Sequence, residues 1–272
     1  MVFMQLRETI SNRTIAALFG LMLTFGCLAT ACENRIFRVD DLGAAKEAVQ
    51  IEDWGQALLL AQRYLRTEFN ADRRWEAWNI MVSASINLGE QRWVVEYLEA
   101  MLIEYSGDDH RKPIILRMLG ENYEKARIWD KASATWLHLL DIAELAPNEI
   151  AEIYRRNGIF HRQRHEFNQA AAMFARCAEE AAASRLIGEC WYYQADTYSI
   201  RGQLDAALAA VDKALVVRDL PLDLQGMIYL LQGDIYEQQN KPVQAAAAFR
   251  AAQQKHPNSG VVRTRLSNLG LK

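Results

Sequence analysis

The chain is expected to be all-α, a solenoid of about six helix pairs closed by a short C-terminal helix. Three observations predict this. A small residue returns at intervals of 37 or 38 residues, at Ala57, Val94, Ala132, Ala170, Ala207 and Ala245. Each is followed four and seven residues later by Ala61/Tyr64, Leu98/Met101, Trp136/Leu139, Phe174/Cys177, Val211/Ala214 and Phe249/Ala252, a spacing that puts three side chains on one helix face. No alternating β-branched run interrupts these segments, and the 5 prolines all lie near turns. One helix pair cannot bury its apolar face alone, so neighbours stack and share a core.

Each copy also has a first helix. Twelve residues before the anchor stands a small side chain, Ala45, Gly120, Gly158, Ala195 or Gly233, with Val82 in the remaining copy. Three residues after that column come Tyr123, Tyr198 and Tyr236, with Ala48, Ser85 and His161 in the weaker copies. Four before it come Trp78, Leu116, Tyr154, Trp191 and Tyr229, with Asp41 in the first copy. Small residues let two helices approach, and large ones fill the space between them. On this register Gly233 and Ala245 should face each other. Leu88-Gly89-Glu90, Arg201-Gly202-Gln203 and Asn240-Lys241-Pro242 separate first from second helix, and Ala146-Pro147-Asn148 and His256-Pro257-Asn258 separate pairs. Residues 261–269 form a short amphipathic helix that caps the last pair.

The clearest copy, Tyr229…Gly233…Tyr236…Ala245…Phe249…Ala252…Pro257, resembles the tetratricopeptide repeat (TPR) in its order of aromatic, small, Tyr, Ala, Phe, Ala and Pro. The resemblance covers residues 38–260, strongest in the last two copies and degenerate in the first two. That repeat is about 34 residues long, so each unit here has roughly one additional helical turn or a longer connection. The resemblance implies a right-handed superhelix that holds other proteins, with its first helices lining a concave groove. In that groove Arg117, Arg155 and Arg162 make the middle basic, and Asp196, Asp234 and Glu237 make the carboxyl end acidic. An acidic or carboxyl-terminal peptide is expected across the three arginines, held by forked charge-assisted hydrogen bonds. Glu121 stands where carboxylate-binding grooves of the family prefer an amide.

The amino terminus follows a different logic. Arg7 and Arg13 precede an apolar run from residue 14 to 26, about 13 residues against the roughly 20 needed to span a bilayer. Residues 1–31 read as a secretory signal peptide. Leu28-Ala29-Thr30-Ala31-Cys32 resembles a bacterial lipobox, which makes Cys32 the expected lipidated residue. Cys27 is the second candidate, and an ordinary cleavage site after Ala29-Thr30-Ala31 the main rival. Residues 32–37 are then a short membrane tether and 261–272 the capping segment. The expected location is the cell envelope, lipid-anchored and facing the periplasm, on the outer rather than the inner membrane.

Composition excludes some classes. The chain carries 31 Lys+Arg against 34 Asp+Glu, no electrostatic footprint for nucleic acid. No glycine-rich phosphate loop, nucleophile elbow or H-E-x-x-H segment is present, and neither metal nor cofactor is expected. His161 and His165 are four apart, but His161 occupies a packing column and no third ligand is near. Cys177 and Cys190 fall near the ends of neighbouring antiparallel helices, where an oxidising compartment would allow a disulfide, although buried cysteines are also ordinary small core residues. The reading is a membrane-anchored periplasmic adaptor for envelope protein assembly, secretion or pilus biogenesis. Its alternatives are a soluble periplasmic scaffold and a cell-wall enzyme.

Overall fold

The computed structural model describes residues 40–270, which contain thirteen α-helices and no strand. The segments expected to be a signal peptide and a tether, with Cys27 and Cys32, lie outside the described residues. The described chain divides into two compact units, one up to Ile80 and one from Met81.

The first unit holds α1 (Asp41–Gln50), α2 (Trp54–Leu65) and the first half of α3 (Ala71–Asn87). Asp40 and Asp53 start the first two helices, each carboxylate accepting a backbone N–H three residues on, at Gly43 and Gln56. Arg63 of α2 forks onto Asp41 of α1, and Leu42, Ala45, Ala57 and Ala61 are buried between the two helices.

The second unit continues from the end of α3 through α4 (Gln91–Glu104), α5 (Arg111–Lys125), α6 (Trp129–Ile142), α7 (Pro147–Gln163), α8 (Phe167–Glu180), α9 (Ser184–Ile200), α10 (Leu204–Leu215), α11 (Leu222–Gln238), α12 (Pro242–Gln253) and α13 (Ser259–Asn268). α5/α6, α7/α8, α9/α10 and α11/α12 are the close antiparallel pairs, and the first helices of successive pairs also approach, α7 to α9 and α9 to α11. The first helices therefore line one side of this unit. Pro147 and Pro242 each occupy a first helical turn, where a missing N–H costs nothing.

The anchor column accounts for the packing. All six anchors, from Ala57 to Ala245, have 0% exposure. The glycines of the small column lie under the large residue four after the anchor. A Cβ on Gly120 would stand 2.6 Å from the Trp136 ring, and one on Gly158 2.5 Å from the Phe174 ring. Gly233 meets Phe249 in the same way, so its nearest neighbour is one helical turn beyond the Ala245 that sequence pairing pointed to. A first helix can approach its partner this closely only where it lacks a side chain.

One turn geometry joins the helices of every pair. Glu52, Gly89, Arg127, His165, Gly202 and Asn240 all adopt the left-handed conformation, φ between 55° and 74°, each five residues before its anchor. The next residue's N–H reaches back to the carbonyl of Ala48, Ser85, Tyr123, His161, Tyr198 or Tyr236. That is the six-to-one bond that closes a helix through a left-handed residue. Gly89, Gly202 and Asn240 are the turn residues the sequence marks; the other three carry no glycine or asparagine to announce them.

The capping helix begins two residues earlier than expected, because Asn258 accepts the N–H groups of Gly260 and Val261. Val262, with no exposure, packs with Ala245, Phe249 and Ala252, and Leu266 and Leu269 lie over the same cluster. Among the described residues, no helix is long and apolar enough to cross a membrane.

Candidate functional site: the groove on the first helices

The residues left over by the packing columns meet on α7, α9 and α11. On α9, Tyr193 lies beside two arginines of α7. Its ring stacks on buried Phe174 of α8, centroids 5.4 Å apart, and meets Tyr192 edge-on at 5.6 Å. From α7, the Arg155 guanidinium lies 5.9 Å and that of Arg162 5.5 Å from the Tyr193 centroid. Two cations two helical turns apart thus lie against one aromatic ring, a contact that weakens neither charge.

Each of the three arginines picked from sequence has a carboxylate partner. Arg155 forks onto Glu152 through bonds of 2.8 and 2.6 Å; that bond, outweighing burial, holds its pKa above the usual arginine value. Arg162 donates to Asp196 of α9 at 2.7 Å. Arg117 stands apart on α5 and pairs with Glu149 at the start of α7, 2.9 Å away. The structure gathers Arg155 and Arg162 at one platform and leaves Arg117 a separate bridge. Arg156, absent from the sequence reading, donates through Nη1 to both carboxylate oxygens of Glu124 of α5 and covers the Trp136 ring at 4.9 Å. Tyr193 was also missed; it lies between packing columns, and its only signal was adjacency to Tyr192.

The acidic stretch continues along α9 and α11. Burial, then repulsion from Glu237 and Asp196, pushes the Asp234 carboxyl above its ordinary range, although Arg265 of α13 opposes the shift. Arg265 Nε lies 3.3 Å from Asp234 Oδ1, an ion pair without hydrogen-bond alignment. Tyr192, desolvated beside Asp196, has its pKa pushed up to about 12 and stays neutral at any physiological pH. This surface of the first helices is therefore a mosaic of arginine, tyrosine and carboxylate, its charges largely neutralised within the molecule.

The cysteines come together. Cys177 of α8 and Cys190 of α9 form a disulfide pair with Cα atoms 5.8 Å apart, and neither residue has solvent exposure. The two histidines have different neighbours. His161 Nδ1 lies 2.7 Å from Glu166 Oε2, which lowers the Glu166 pKa, and His165 turns edge-on to Phe167. Among the described residues no group of three His, Cys, Asp or Glu side chains could hold a metal ion.

Paired antiparallel helices with aligned small and aromatic columns define an all-α solenoid of the tetratricopeptide type. Solved structures share the fold. BtubC (BKLC) from P. vanneervenii is 17% identical, with TM-score 0.53 over 80% of this chain and 91% of that one. The apo form of RapI is 13% identical, with TM-score 0.60 over 84% and 69%. A MamA protein is 17% identical, with TM-score 0.51 over 65% and 89%. No protein-family model and no curated protein sequence matches the chain.

Proposed function

We propose that this protein is a non-enzymatic binding scaffold whose α7–α9–α11 groove takes an extended, acidic segment of another protein. The observation that carries the reading is the Tyr193 platform. Two arginines lie over one half-buried tyrosine, and each pairs with a carboxylate, Arg155 with Glu152 and Arg162 with Asp196. A partner carboxylate can replace Glu152 or Asp196 as acceptor, and the tyrosine supplies stiff amphipathic contact at small entropic cost. The intramolecular pairs keep the arginines oriented until exchange occurs, which favours discrimination over raw affinity.

Arg155→Glu combined with Arg162→Glu is expected to weaken binding of an acidic partner by about tenfold and to flatten its salt dependence, since screening acts on those contacts. Titration by calorimetry at two salt concentrations measures both. Unchanged affinity with an intact circular dichroism spectrum removes this groove from the account.

The same proposal includes the anchor. Cys32, preceded by small residues and an apolar run, is acylated and holds the scaffold on the outer membrane facing the periplasm, each buried CH₂ of the lipid contributing about 0.8 kcal/mol. A fatty-acid analogue should label the wild type, and Cys32→Ser should lose the label and pass into the soluble envelope fraction. Persisting label would assign the modification to Cys27, and an unlabelled wild type would end the lipoprotein reading. In this setting the scaffold serves envelope protein assembly, secretion or pilus biogenesis.

A further inference from the structure

α8 and α9 are joined by three successive antiparallel rungs. Cys177 meets Cys190, Phe174 stacks on Tyr193, and Gln194 Nε2 donates to the Ala171 carbonyl at 2.9 Å. Reading outward from the bridge, each α8 residue steps back by one turn while α9 advances. The covalent rung is one turn from the aromatic one. Ala151 and Tyr154 of α7 pack in the same buried cluster as the two cysteines, and Tyr154 is the immediate neighbour of Arg155. The bridge therefore borders α7, α8 and α9, the helices that carry Arg155, Phe174 and Tyr193.

We propose that the Cys177–Cys190 bond is a register lock for this groove, fixing α9 against α8 and so placing Tyr193 between Arg155 and Arg162. Its effect on binding rests on the groove reading above; its effect on register does not. Formation removes two protons and two electrons from the thiols, with a disulfide-bearing oxidant reduced to its dithiol. Reopening needs a reductant thiolate to reach one of two sulfurs whose residues have no solvent exposure. Helices α8 and α9 must separate first, so the bond is a commitment made during folding rather than a switch thrown in the native state.

The test compares the oxidised full-length chain with Cys177→Ala/Cys190→Ala and with wild type refolded under reductant, the last guarding against a packing effect of the substitution. Hydrogen exchange should accelerate by about tenfold or more at residues 186–196 and at 151–162 in both altered forms, and stay unchanged in α12. A hexaglutamate peptide should bind the oxidised chain about threefold or more tighter than the altered forms. Exchange at residues 186–196 within about twofold of the oxidised chain overturns the lock, whatever the peptide does. Accelerated exchange together with peptide binding indifferent to Arg155→Glu/Arg162→Glu keeps the lock and discards the groove reading.

Discussion

Phe174→Ala is expected to destabilise the second unit by about 3–5 kcal/mol, the range for truncating a fully buried aromatic. The Phe174 side chain has 0% exposure, its ring lies against Gly158 of α7, and it stacks with Tyr193 of α9. Removing it empties the contact between two consecutive pairs at once. The glycine below cannot collapse into the space, and Tyr193 loses its seat beneath the two arginines. Chemical denaturation should show a lower midpoint with little change in slope. Val243→Ala, at a side chain 73% exposed in α12, is the control and should move the midpoint little. Equal effects at the two positions would contradict the packing columns.

Loss of the disulfide is the second large effect. The cysteines are 13 residues apart, and a loop of that size is worth about 3 kcal/mol of restricted unfolded-state entropy. Cys177→Ala/Cys190→Ala should therefore lower stability by roughly that amount, and adding reductant to the variant should do nothing further. Reductant added to the folded wild type should act only slowly, because the sulfurs are sealed in the core. Thiol labelling before and after unfolding distinguishes a formed bond from two buried free thiols. If both cysteines label on unfolding without reductant, the bond does not form and the lock falls with it.

Most of the fold was legible because burial in a stacked array repeats with the chain. One small position recurring every 37 or 38 residues marks the same buried spot six times, and all six are fully buried. What was not legible is which side chain answers which. Arg162 and Asp196 are 34 residues apart and Arg156 and Glu124 are 32 apart, about one repeat. Sequence displays such charges as separate members of a groove, because pairing depends on rotamers and on the spacing of adjacent first helices. Nor does the sequence say that a side chain at Gly233 would meet the Phe249 ring, one turn along from Ala245. Gln239, an unremarkable turn residue by sequence, donates to Asp205 at the start of α10 in the preceding copy at 3.0 Å. Cross-repeat ties of this kind stiffen the array, and none shows in a single copy.

The six left-handed turns carry a lesson about what makes a repeat recognisable. Glycine fills that position in two copies and asparagine in one, while Glu52, Arg127 and His165 accept a conformation that costs a side-chain-bearing residue about 1 kcal/mol or more. The three unmarked turns still close with the same six-to-one bond. Helix packing, not the turn residue, dictates the crease. A copy can therefore shed its most visible letter and keep its shape, paying in stability what it loses in spelling. This is how a chain can share its fold with solved structures while no family model matches its sequence. Resemblance here is carried by burial, which tolerates substitution, rather than by punctuation, which does not.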